Sequence, residues 1–282
     1  MAAISDYFSQ DNNLYPGSGI VFYVFDNTKT TSFINDCLIP FRQAYIEDEK
    51  VDAIVKKYGN TREDVIARRL PDKGKVMSGD FGEILSLYLA SQTWYPNVNV
   101  IPLKWRYKDK KKDASHYTDI VLFERKDPAN PSIDDSMVTF EVKTCATSLS
   151  NTTYKMHKRK SAITYKDGKL ECTILEAVFD ANKDAVERAA ETLPYLITRC
   201  EDLELDELHN QIERFCNAAT TSYHKEHNAV AVVDTSTLAE QITRMPADVF
   251  VALPNVSRVY CVPMDNLKSI YEQVYHEIPI NS

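Results

Sequence analysis

The sequence predicts an α/β fold with a mixed central sheet flanked by helices, and the order of its periodic segments is the reason. A helical apolar period at 78–92 precedes three strand-like runs between 97 and 144. A long section of helical spacing follows at 181–227, and the chain then returns to strands at 228–234, 249–253 and 256–262. Helix, strands, helices and strands in that order argue for helices packed against a sheet. Neither an internal repeat nor a Pro/Gly/Ser linker divides the 282 residues, so the expectation is one domain, 1–282. Within it, 1–77 forms an N-terminal elaboration, 78–180 the core, 181–227 an acidic helical insertion, and 228–282 closing strands and a C-terminal helix.

The first element is GIVFYVFD at 19–26, a β-branched and aromatic run preceded by the turn residues Pro16 and Gly17. A helix is expected at about 30–46, and another from Thr61, with Asp64 three residues on as an approximate capping box, ending at Pro71. In SGDFGEILSLYLASQ at 78–92, Phe81, Ile84, Leu85, Tyr88 and Leu89 keep helical spacing. On this reading Glu83 opens the helix, where the positive end of the dipole stabilises a carboxylate by up to about 1 kcal/mol. The runs NVNVIPLKWRY (97–107), YTDIVLFER (117–125) and SMVTFEVKT (136–144), separated by polar loops, predict a short antiparallel meander. ECTILEAVF at 171–179 is a further strand candidate. Residues 181–227 read as helices interrupted at Pro194, and a last helix is expected at about 264–276.

Composition narrows the function. A content of 44% hydrophobic and 26% charged residues is ordinary for a globular protein. The longest apolar run, Ile20–Phe25, is six residues, against the roughly 20 needed to span a bilayer. The start MAAISDYFSQD lacks the pattern of a secretory signal. Six scattered cysteines without a Cys-x-x-Cys pair argue against a zinc ribbon or a disulfide framework and fit reduced thiols in a cytoplasm. Neither glycine-rich nucleotide loop occurs. The net charge of −8 disfavours unaided coating of nucleic acid, yet residues 101–170 hold 15 Lys and Arg against 9 Asp and Glu. That asymmetry points to one basic working face on an acidic body.

Asp119, Glu141 and Lys143 are the residues that carry chemistry. In Val138–Lys143, apolar residues alternate with Thr139, Glu141 and Lys143, so Glu141 and Lys143 share a strand face, roughly 7 Å apart. Asp119 precedes Val121 and Phe123 on one face of the preceding run. If the two strands pair, Asp119 and Glu141 face each other at about 5 Å. Two carboxylates that close call for a cation, and a hard divalent ion, Mg²⁺ or Mn²⁺, suits oxygen donors. Such an ion polarises a phosphoryl oxygen and acidifies a water, while an adjacent lysine holds negative charge. Glu83 can complete the acidic shell directly or through water.

This pattern resembles the PD-(D/E)XK nuclease superfamily, restriction-endonuclease-like in fold. Its helical Glu maps to Glu83, its metal-binding Asp to Asp119, and its E-x-K strand to Glu141 and Lys143. Thr118 stands where the name-giving Pro would sit, a Pro often absent in the superfamily. The framing runs SGDFGEILSLYLA, SHYTDIVLF and VTFEVKT, with the chain length, are similar to the HamA family, nuclease-type subunits of bacterial Hachiman anti-phage defence. That resemblance implies a DNA substrate, Mg²⁺ or Mn²⁺, and a HamB-like helicase partner that restrains the nuclease. The acidic segment 181–227 is then a docking surface or a plain solvated face.

Context separates this E-x-K from its duplicates. Glu124-x-Lys126 and the D-x-K pairs at Asp48, Asp109 and Asp167 sit mostly in polar runs, where surface ion pairs worth about 0–1 kcal/mol are the simpler account. The same account, cross-strand ion pairs on an exposed face, competes at Glu141 and Lys143. His224-Lys225-Glu226-His227 lacks further ligands and reads as an exposed loop. His116 is a candidate for phosphate contact or a loop residue without a role, and Lys155, Lys158, Arg159 and Lys160 are candidates for tracking a DNA backbone. Trp94 and Trp105 read as packing residues. A catalytically silent binding or regulatory subunit and a nuclease acting on RNA are the competing functions.

Overall fold

The computed structural model describes residues 2–107, 118–147, 172–183, 185, 189–216, 222–245 and 255–282. Six strands form one mixed sheet: β1 (Phe8–Gln10), β2 (Ile20–Phe25), β3 (Ile120–Glu124), β4 (Ser136–Cys145), β5 (His224–Asp234) and β6 (Arg258–Met264), in the order β1-β2-β6-β5-β4-β3. The inner strands β2, β6, β5 and β4 run parallel, and β1 and β3 close the edges antiparallel. At the centre, Ala229–Val233 of β5 is fully buried, the unbroken apolar run of a strand covered on both faces.

Helices supply that cover. On one face lie α1 (Thr30–Tyr45), α3 (Arg62–Ala67), α4 (Lys75–Leu89) and the C-terminal α9 (Leu267–Asn281), with α2 (Asp48–Tyr58) packed beside them. Phe33, Phe41, Phe81, Ile84 and Val274 meet Ile120, Leu122, Val138, Phe140 and Val142 there. On the other face, α5 (Thr173–Lys183) and α8 (Thr235–Thr243) cover Ala229, Ala231, Val233 and Cys261. The pair α6 (Ala189–Asp202) and α7 (Asp206–Cys216) packs Leu193, Leu196, Ile212 and Phe215 on Val121, Phe123 and Met137. No helix among the described residues is long and apolar enough to cross a membrane.

Several expected elements form as read. The helices at 30 and 61 begin within a residue, and Thr61 Oγ1 accepts the Asp64 amide at 3.1 Å as an N-cap. Trp94 stacks on Tyr260 with centroids 4.0 Å apart, and Trp105 is buried.

Four expectations are corrected. The run 97–107 contributes one bridge, Val100 to Phe123, then coils into a tight turn at Lys104–Tyr107; Pro102 has no N–H to extend a ladder. Residues 173–179 are helix, because Ile174, Leu175, Ala177, Val178 and Ala181 bury one helical face, a pattern a short apolar run does not separate from a strand. His224–His227 open β5 and pair with β4 through Thr139, so the helical section ends earlier than 227 and these histidines do not lie in a loop. Helix α4 starts at Lys75, leaving Glu83 two turns inside it, beyond the reach of the terminal dipole. The strand expected at 249–253 lies outside the described residues.

Candidate active site

Strands β3 and β4 set the first two carboxylates. Ile120 pairs with Phe140, so the residue before β3, Asp119, comes opposite Glu141. Asp119 Oδ2 accepts the backbone amide of Val142 at 2.8 Å, which fixes its side chain across the strand pair. Glu141 is 4% exposed. Along the same strand, Lys143 Nζ lies 2.7 Å from Glu141 Oε1 and 2.9 Å from Asp180 Oδ2 on α5. The β5 residues opposite Glu141 and Lys143 are Ala229 and Ala231. Their short side chains leave room beside the acid and the lysine where a larger cross-strand neighbour would crowd them.

Glu83 arrives from the opposite face of the sheet. Its neighbour Gly82 lies against β4 so closely that a Cβ there would stand 2.0 Å from Thr144 Oγ1. Any other residue would force Thr144 or the helix to shift; glycine lets α4 settle on the strand and carries Glu83 to the sheet. From there Glu83 joins the group through Lys104, whose Nζ lies 3.2 Å from Glu83 Oε2, 3.7 Å from Asp119 Oδ1 and 3.4 Å from the carbonyl of Thr118.

Lys104 and Asp180 were not singled out in the sequence. Lys104 was legible as a lone lysine inside the apolar run IPLKWRY; Asp180 was hidden because its helix reads as a strand. The described part of the group is thus four carboxylates, Glu83, Asp119, Glu141 and Asp180, interleaved with two ammonium groups, a formal charge of −2. Burial pushes the pKa of Lys104 down, but attraction to Glu83, Asp119 and Glu141 outweighs it and holds the value above that of an ordinary lysine. The same balance, burial against Glu141, Asp119 and Asp180, raises Lys143. Both side chains are cations at neutral pH.

The donors fit a hard divalent ion in kind: carboxylate oxygens, buried at Glu141 and partly buried elsewhere, a surplus of two negative charges, and neither thiol nor imidazole among the six side chains. Asp119 and Glu141 would hold it, with Glu83 in support. The placement is less direct. Among the described residues, no three His, Cys, Asp or Glu side chains gather closely enough to hold a metal, because the acids are organised about the lysines. A small pocket lined by Lys104, Trp105, Asp119 and Thr192 separates this turn from α6. Glu83, Asp119, Glu141 and Lys143 therefore come together; His116, Lys155, Lys158, Arg159 and Lys160 lie outside the described residues.

A mixed six-stranded sheet with helices on both faces defines an α/β protein, with an acid leading one edge strand and an E-x-K on its antiparallel neighbour. More specifically, the HamA family model matches residues 4–278, nearly the whole chain, and the chain belongs to that family. Membership places it among the proteins of Hachiman anti-phage defence. No curated protein matches the sequence.

Proposed function

We propose that this chain is a metal-dependent DNA endonuclease, the effector of a Hachiman defence complex controlled by a HamB-like helicase. The observation that supports it most is the Asp119–Val142 hydrogen bond, which ties one acid across the strand pair to the E-x-K strand. When bound, Mg²⁺ or Mn²⁺ supplies Lewis-acid polarisation of the scissile phosphate and acidifies the attacking water. Asp119 and Glu141 are the residues to hold the ion. Lys143 pairs with Glu141 and Asp180, whose charges favour its protonated form. Its role is to donate hydrogen bonds to the water or phosphate and to hold charge developing in the transition state. Nicking assays in Mg²⁺ on DNA and RNA, with Glu141→Ala and Lys143→Ala, test the reading: both variants should be folded and inactive on DNA. Wild-type nicking by either variant would falsify these roles, and cleavage confined to RNA would overturn the substrate.

One observation favours a second reading, a nuclease-fold subunit that regulates without turnover: the lysines already neutralise much of the acidic charge. Calorimetric titration with Mn²⁺ separates the two, since a silent module gives no heat that depends on Glu141.

A further inference from the structure

Lys104 is a buried cation to which the mechanism gives no task. Only 8% exposed, it reaches from a tight turn to three oxygen acceptors, two of them carboxylates of the acidic group. Its ammonium is shared by Glu83 and Asp119, 3.2 Å from an oxygen of the first and 3.7 Å from one of the second. A divalent ion held by Asp119 needs lone pairs that Lys104 now faces, and two cations sharing one carboxylate repel. We propose that Lys104 is a tethered counter-cation that occupies the acidic group at rest and must withdraw before a divalent metal can bind. This rests on the metal-dependent reading above and adds a device to it: a site whose acids are partly neutralised while no metal is bound.

The surroundings support that role. The stem of Lys104 is buried and its ammonium lies 5.8 Å from the Trp105 ring centre, so the side chain is packed as well as paired. Its turn is clamped from two sides. Arg106 Nε donates to the Gln43 carbonyl of α1 at 2.9 Å and its guanidinium pairs with Glu47, while Arg199 of α6 donates to the Tyr107 carbonyl. A lysine serving only as surface neutralisation would not be held by a backbone anchored to two helices. Lys143 differs, since it belongs to the E-x-K strand and pairs with Asp180 on the far face.

The experiment is Mn²⁺ titration by calorimetry of the full chain as wild type, Lys104→Met and Lys104→Arg, each also with Glu141→Gln. Methionine keeps the buried stem without the charge; arginine keeps the charge. The expected result is at least tenfold tighter Mn²⁺ binding by Lys104→Met, wild-type affinity in Lys104→Arg, and loss of the gain with Glu141→Gln. Equal or weaker binding by Lys104→Met, while wild type binds in a Glu141-dependent way, overturns the counter-cation role and leaves the metal-dependent reading standing. Absence of binding by every form overturns both. A second measurement needs no variant: amine labelling of wild type, read by peptide mass spectrometry. Labelling of Lys104 should rise severalfold with Mn²⁺ at saturation by calorimetry, and unchanged labelling there overturns the proposal.

Discussion

Asp119 and Glu141 stand opposite one another at the mouth of the β3–β4 pair, and the link between them runs through backbone: Asp119 Oδ2 takes the amide of Val142, the residue after Glu141. A carboxylate used this way has two jobs. It satisfies a main-chain donor, and it keeps its second oxygen, Oδ1, facing Lys104.

Those jobs separate by substitution. Asp119→Asn retains an oxygen that can accept from Val142, whereas Asp119→Ala leaves that amide without its partner, at a cost of about 1–3 kcal/mol. Urea unfolding should therefore show Asp119→Ala clearly destabilised and Asp119→Asn much less so, while neither cleaves DNA in Mg²⁺. Equal stability of the two variants would deny the hydrogen bond its structural part.

Gly82 offers a test of how Glu83 is delivered. Gly82→Ala places a methyl 2.0 Å from Thr144 Oγ1, an overlap that must shift the Thr144 side chain, the helix or the strand. The expected loss is about 1–3 kcal/mol, the usual range for overpacking. Thr144→Ala removes the nearest atom, so the double variant should recover part of that loss. Additive losses in denaturant melts would show that the contact is not where the strain arises.

Stability against pH reports a different ion cluster. Hydrogen bonds from Arg42 and Arg62 lower the Asp48 carboxyl from 3.8 to about 2. A lowered carboxyl contributes its stability in full above the unfolded value and loses it as pH falls through the folded one. Thermal midpoints should thus fall between pH 4 and pH 2 with a component that Asp48→Asn removes. The variant should also be less stable at neutral pH, since Arg42 is 2% exposed and loses its carboxylate. An unchanged acid profile in Asp48→Asn would assign the acid loss to other carboxylates.

The candidate site was largely legible because strand side chains alternate with a period of two. Alternation in Val138–Lys143 and in the run after Asp119 defines which residues share a face, and the observed register puts Asp119 opposite Glu141. Glu83 was legible as a residue but not for its reason: it is placed by a glycine contact with a distant strand and balanced by Lys104, not by a helix dipole. Lys104 escaped because the destination of a long flexible side chain is a tertiary fact. Asp180 escaped because six apolar residues among the nine of 171–179 fit a strand or a buried helix face equally well. The pairing of β2 with β6 joins opposite ends of the chain, a relation local pattern does not encode.

With no side chain between them at Gly82, helix α4 and strand β4 form a single slab. Slow, correlated hydrogen exchange is the mark of such a unit, so amides 81–85 and 140–144 should open together. Glu83, Glu141 and Lys143 then share one rigid support. What lies outside that slab is the long side chain of Lys104, which reaches the acids from a separate, anchored turn, so the balance of charge in the site can change by the motion of one side chain while its floor stays still.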